Sequence, residues 1–218
     1  MDRLTLGKMQ NPVRGILHGS AAVASLIGLI VLTIRTSSDA IRMWSMVIFG
    51  FSLVALYTTS SLYHSYPWRE KWERRIQRVD HSMILVLVAG SWTPIAMNVL
   101  DGGWRIFTMS VVWGLALIGV VQKILFPSVR QWFTVALATT MGWFAVVPLP
   151  QIIQRMSRGA IILLLVGGVL YTIGMVIYAT RWPKLFPRVF SSHEVFHVLV
   201  VAGSAVHFAL VYNYVVPY

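Results

Sequence analysis

Seven apolar stretches, each close to twenty residues long, fill most of this chain. They run approximately over Gly15–Ile34, Trp44–His64, His81–Leu100, Trp104–Leu125, Trp132–Leu149, Gly159–Thr180 and Val195–Val216. A hydrocarbon core about 30 Å thick takes roughly 20 apolar residues per helical crossing, so each stretch is of spanning length. Inside lipid the backbone must satisfy its own hydrogen bonds, which leaves helices or closed barrels. The alternation of period two that a barrel requires is absent. The expectation is an all-α, polytopic membrane protein in which residues 1–218 form a single domain of seven transmembrane helices.

Composition excludes the soluble alternative. Hydrophobic residues make up 57% of the chain and charged residues 11%, whereas a globular domain devotes about 25% to charge. A soluble fold this apolar could not cover its own surface. The first stretch does not read as a cleavable signal: it is long, lacks a clear small-residue cleavage site, and six similar stretches follow it. The absence of cysteine rules out disulfides, thiolate ligands and a cysteine nucleophile.

Eighteen Lys and Arg against seven Asp and Glu give a net charge of +11. In a soluble chain that excess would suggest nucleic acid. Here it is a topology signal, and no nucleic-acid partner is expected. Cytoplasmic loops retain basic residues, so we compared the two sides with the N-terminus placed inside. One side then carries Arg3, Lys8, Arg14, Arg69, Lys71, Arg74, Arg75, Arg78, Lys123, Arg130, Arg181, Lys184 and Arg188; the other carries Arg35, Arg42, Arg105, Arg155 and Arg158. Thirteen against five predicts a cytoplasmic N-terminus and an external C-terminus. Trp68, Trp72, Trp104, Trp132 and Trp182 fall near span ends, where amphipathic rings favour the interface. The basic loop 69–78 sets topology and is also expected to attract anionic lipid headgroups.

Ionisable groups inside spans are candidates for function. With this topology, His64 closes the second span, Asp80 and His81 open the third, and His193 and His197 open the seventh. Segments far apart in sequence thus bring imidazoles and a carboxylate to one membrane depth. His193 and His197 are spaced i,i+4 and share a helix face. The run from His193 to His197 also matches H-E-x-x-H, in which Glu194 would stand as a general base. Ser60 sits one turn before His64. Three neutral imidazoles plus water describe an open, catalytic zinc site, and a His-rich site without cysteine suits zinc. His81 is an alternative donor, although it points about 100° from Asp80 on a helix. His207 lies about 15 Å deeper than His197, so a helix-to-helix hydrogen bond is expected of it. His18 alone reads as an interfacial polar residue. Pro94 is expected to kink the third span, and Gly167, Gly168 and Gly174 to permit close helix packing.

These segments resemble a known family. Ser60-Ser61-Leu62-Tyr63-His64, Arg78-Val79-Asp80-His81-Ser82 and Ala89-Gly90-Ser91-Trp92-Thr93-Pro94 are similar to successive blocks of the hemolysin III family. That family belongs with the adiponectin and progestin receptors in the PAQR superfamily. His193-Glu194-Val195-Phe196-His197 and Ala202-Gly203-Ser204-Ala205-Val206-His207-Phe208 resemble its C-terminal block. The small size resembles the bacterial branch, and with it a multi-pass protein of the bacterial cytoplasmic (inner) membrane. The resemblance implies zinc held by His64, His193 and His197, with Asp80 holding the metal-bound water and Ser60 beside it. Receptor members carry Gln at the place of Glu194. Many members carry Asn and Thr where this chain has Arg14 and Leu17, so no role is carried onto His18.

Four functions are in view. The first is a zinc-dependent hydrolase of lipid amides or esters (ceramidase-like) acting in membrane-lipid homeostasis. In it Asp80 or Glu194 would shuttle the proton, and membrane lipids would be the partners. The second is a non-enzymatic sensor or receptor of membrane state, in which zinc is structural. The third is the cytolysin implied by the family name, which seven constitutive spans argue against. A zinc protease, suggested by H-E-x-x-H alone, comes last.

Overall fold

The computed structural model describes residues 9–126, 131–186 and 189–218, which places Arg3, Lys8, Arg130 and Arg188 of the charge argument outside the described residues. The described residues are helical almost throughout: α1 (Pro12–Arg35), α2 (Ala40–Ser65), α3 (Glu70–Asn98), α4 (Gly102–Leu125), α5 (Gln131–Trp143), α6 (Leu149–Arg155), α7 (Arg158–Thr180) and α8 (Ser192–Leu210). A short 3₁₀ turn, Phe144–Val146, continues α5, and a π turn, Val211–Val215, continues α8.

Local signals set the boundaries. Pro12 stands in the first turn of α1, where its missing N–H costs nothing. Asp39 caps α2 by accepting from the Arg42 N–H at 3.0 Å, and Ser157 caps α7 through the Ala160 N–H. α3 begins eleven residues ahead of His81, so the segment expected to be a basic loop is helical from Glu70 onward. Glu70 and Glu73 in its first turn complement the positive end of the helix dipole.

Six helices are long and apolar enough to cross a membrane without a break. The fifth expected span, Trp132–Leu149, is instead a bent pair: Trp132–Val146 meets Leu149–Arg155 at 51°. Taken as one crossing, the pair completes seven. The cause is local. Pro148 has no N–H to donate to the carbonyl four residues back, so the ladder breaks here although Val147 itself keeps helical dihedrals. A broken helix in lipid needs other partners for its backbone, and the Trp92 indole donates to the Met141 carbonyl at 3.1 Å. α3, by contrast, runs on through Pro94 as one helix to Asn98.

Several hydroxyls are satisfied within their own helices. Thr33, Ser91, Thr93, Thr139 and Thr172 each donate to the carbonyl four residues back, the local bond that a medium without water favours. The outer surface is apolar: along α1 alone Val23, Ile27, Ile30 and Ile34 are exposed. Inside the bundle, Gly167 gives way to the His207 ring and Gly174 to Leu199 and Phe196. Gly168 has no such neighbour and borders a cavity instead.

Candidate metal centre

Four helix ends meet at one end of the bundle: the N-terminus of α1, the C-terminus of α2 and the N-termini of α3 and α8. The backbone ties them, with the Asn11 N–H donating to the His64 carbonyl at 2.8 Å. Gly15 leaves no room for a Cβ against Ser65, so α1 and α2 approach closely here.

α8 starts on a capping box. Ser191 and Glu194 satisfy each other across the first turn, with the Ser191 N–H donating to Glu194 Oε2 at 2.6 Å and the Ser191 hydroxyl bonding to the same oxygen. That start fixes the phase of His193 and His197, one turn apart on a common face. α2 delivers His64 to the same face. Among the described residues, one ligand nitrogen from each of His64, His193 and His197 lies within 4.8 Å of the others. Such a set can converge on one ion. His64 and His197 are buried and His193 half-buried.

The donor chemistry fits a metal. Nδ1 of His64 and Nδ1 of His197 are buried without a hydrogen-bond partner among the described residues. A buried ring nitrogen left unpaired costs about 1–3 kcal/mol, and coordination removes that penalty. Three imidazoles on two helices, with no cysteine in the chain, form a nitrogen-donor set of the kind zinc accepts.

Asp80 and Ser60, also read from the sequence, are buried beside this group. The Ser60 hydroxyl is a near polar neighbour of the Asp80 carboxylate. Both line the cavity that His193 and His197 also line. His81 borders the same cavity but stands outside the three-histidine group. His207 makes the expected contact between helices, its Nε2 lying 3.4 Å from the Leu164 carbonyl on α7.

Glu194 is placed differently from the base of an H-E-x-x-H site. One carboxylate oxygen accepts from Arg14 Nε at 2.6 Å, and the other is held by Ser191. Both ends of this ion pair are buried. Arg14, one of the two departures from the family pattern, is therefore the residue that engages Glu194.

Sequence reasoning missed His18. Its ring stacks on His197 with centroids 4.0 Å apart and planes 13° from parallel, and meets Tyr57 edge-on at 5.1 Å. No period in the sequence announces a stack between α1 and α8. A mechanical consequence follows: filling the His197 face with a flat ring holds that ligand's plane. We expect His18→Ala to keep one bound metal per chain but weaken its affinity, and His18→Phe to restore it. Metal-competition titration of the purified protein checks both, and equal weakening in the two variants would show that the stack is not what matters.

The cavity occupies about 190 Å³. Starting at Asp80, His193 and His197, it passes between α3, α5, α7 and α8 to Leu210 and Val211. Its far end is thus about 20 Å of helix rise from the histidines. The lining away from the cluster is mostly apolar.

Comparison with known proteins agrees with this architecture. A family model described as Haemolysin-III related matches residues 7–208. The chain is 33% identical over 223 residues to Hemolysin-3 of Bacillus cereus, covering 100% of this chain and 97% of that one. It is 32% identical over 203 residues to a Hemolysin-3 homolog of Bacillus subtilis (strain 168), covering 92% of each. More distantly, it is 25% identical over 205 residues to an adiponectin receptor protein of Drosophila melanogaster, covering 84% of this chain and 46% of that one. With a family match across nearly its whole length and a multi-pass, all-helical architecture, the chain belongs to the haemolysin-III-related family within the PAQR superfamily.

Proposed function

We propose that this protein is a zinc-dependent hydrolase of lipid amides or esters that acts within the membrane. One observation carries the reading. Three converging imidazoles and a buried carboxylate–hydroxyl pair stand at one end of a long apolar cavity. A soluble substrate would not need such a cavity, whereas an acyl chain fits one.

Zinc in this site would supply a Lewis acid that polarises a carbonyl and activates water. The chain's own residues supply the rest. Asp80 takes the proton from the attacking water and returns it to the leaving amine or alcohol. Ser60 orients the Asp80 carboxylate through its hydroxyl. The apolar walls seat the acyl chain and keep bulk water from the reacting carbonyl. Glu194, held by Arg14 and Ser191, anchors the first turn of α8 and leaves the proton to Asp80. The basic-residue bias puts the site on the cytoplasmic side, with the N-terminus inside and the C-terminus outside.

The test is Asp80→Asn in protein that retains its zinc. Hydrolysis of a panel of N-acyl and O-acyl lipids should fall by about 10²- to 10⁴-fold, the usual contribution of a positioned acid–base group, while bound zinc stays at the wild-type level. Full activity in that variant would remove Asp80 from the chemistry. Zinc-loaded wild type that releases nothing from the panel would instead favour the second reading. In that reading the metal ties α2 to α8 in a sensor of membrane state, and the convergence of ligands from just those two helices suits it. Lysis is the function that the names of the Bacillus relatives carry. Constitutive spans without an amphipathic pore hairpin speak against it here, and purified protein added to erythrocytes without detergent tests it.

The basic first turns of α3 are the proposed contact for anionic headgroups. Arg69, Lys71, Arg74 and Arg75 are exposed, and the Arg75 guanidinium lies over the Trp72 ring at 5.1 Å. Each such charge is worth roughly 1 kcal/mol at an anionic surface. Replacing Lys71, Arg74 and Arg75 by Gln together should markedly reduce the phosphatidylglycerol retained per protein after purification from mixed membranes. Unchanged retention would leave the segment as a topology signal only.

A further inference from the structure

Deeper in the bundle a second polar cluster borders the cavity, away from the histidines. The Tyr57 hydroxyl on α2 lies 2.6 Å from Ser204 Oγ on α8, with the Val200 carbonyl at 3.3 Å. The Tyr171 hydroxyl on α7 lies 2.7 Å from the same Ser204 oxygen. The Tyr171 ring meets His207 edge-on, with centroids 5.4 Å apart. Tyr171 and His207 both line the cavity.

Each hydroxyl of this cluster carries one proton, and the three can be placed in two ways. Tyr57 can donate to the Val200 carbonyl while Ser204 donates to Tyr57 and Tyr171 to Ser204, which uses all three inside the cluster. Tyr57 can instead donate to Ser204 and Ser204 to Tyr171, which frees the Tyr171 O–H to act as a donor to the cavity. An occupant that carries an acceptor selects the second arrangement. His207 complements it. A neutral ring that donates from Nε2 to Leu164 keeps Nδ1 as an acceptor. A rotatable donor and an acceptor thus both border an otherwise apolar channel.

We propose that Tyr171 and His207 form a recognition point for a hydroxyl carried partway along an acyl chain. The inference rests on reading the cavity as an acyl-chain site and adds a substrate class to it: lipids with a mid-chain hydroxyl. A hydroxyl answers both groups, a ketone only the donor, a methylene neither. The depth sets the carbon. Ser204 and His207 lie seven and ten residues beyond His197, roughly 10–15 Å of rise, which is the reach of about eight to twelve chain carbons from a carboxyl held at the histidines.

Binding of free fatty acids to the full-length, zinc-loaded protein in lipid nanodiscs tests this. The probes are octadecanoic acid, its derivative hydroxylated at about the tenth carbon, and the isomer hydroxylated beside the carboxyl. Each displaces a fluorescent fatty acid, corrected for partition into protein-free nanodiscs. The mid-chain hydroxyl should bind about fivefold to tenfold more tightly than the plain chain, as expected for one net hydrogen bond. The isomer hydroxylated beside the carboxyl should show no such gain. Tyr171→Phe should erase the preference and keep the affinity for the plain chain, which also reports that the variant is folded. Equal affinities in wild type would overturn the recognition point while leaving the acyl-chain reading intact. No saturable binding of any chain would overturn both. A preference that survives Tyr171→Phe would overturn the assignment to Tyr171, and the wild-type comparison needs no variant at all.

Discussion

Alanine at His64, His193 or His197 should abolish metal binding and lower the melting temperature in the same variant. The three imidazoles come from two helices, one from α2 and two from α8. Removing any one leaves two protein ligands, too few for a tetrahedral centre with three protein donors and water. Bound metal stabilises only the folded state, by about 4 kcal/mol when free metal exceeds the dissociation constant a thousandfold. For a chain of this size that is a melting shift on the order of 10 °C. A chelator applied to wild-type protein should give the same shift, and should shift the three variants little further. His81→Ala and His207→Ala should keep a full complement of metal, because neither belongs to the three-residue group. Elemental analysis and a thermal melt on each variant decide the matter. If His64→Ala keeps its metal while His81→Ala loses it, the third ligand comes from α3 and the assignment to α2 is wrong.

What could be read beforehand divides by range. The spans were legible because lipid imposes one demand, a run of apolar residues of fixed length, and a sequence displays it directly. The three-histidine group was legible because helical spacing places His193 beside His197, and the distribution of basic residues places His64 at the same end. The bend in the fifth span was signalled, in Pro148 and Pro150, but apolar length alone reads Trp132–Leu149 as one straight crossing. The helical start of α3 hid behind its charge, since a basic segment between spans reads as a loop. Glu194 shows a motif competing with a cap. The five residues from His193 to His197 suggest a base, yet Ser191 three residues earlier completes a capping box that uses the same carboxylate. The contacts that escaped altogether cross between helices: His18 on His197, Tyr57 and Tyr171 on Ser204, Arg14 on Glu194. They depend on how α1, α2, α7 and α8 lie against one another, which no local pattern encodes.

The pair Arg14–Glu194 should behave as one unit in a double-mutant cycle. Its two side chains are separated by 180 residues yet meet at 2.6 Å, both nearly enclosed. Removing one partner of a buried pair strands the other charge and costs about 3–5 kcal/mol, whereas replacing both with apolar residues of similar volume is often close to neutral. Arg14→Met should therefore destabilise strongly. Glu194→Met should do so too, with about 1 kcal/mol more from the lost cap. The double variant should recover most of the loss, giving a coupling of at least about 2 kcal/mol in reversible unfolding in micelles. Singles that simply add would mean the two groups act independently. The same variants separate the two chemical readings of Glu194. As an anchor of α8, it should tolerate conversion to Gln with loss of stability and little loss of turnover in the folded fraction. As the base of an H-E-x-x-H site, that conversion should cost at least about 10² in rate with stability nearly unchanged. Arg14 sharpens the choice. A carboxylate held by a guanidinium and a serine has most of its lone pairs engaged, and the proposed mechanism accordingly gives the proton to Asp80 on the cavity wall.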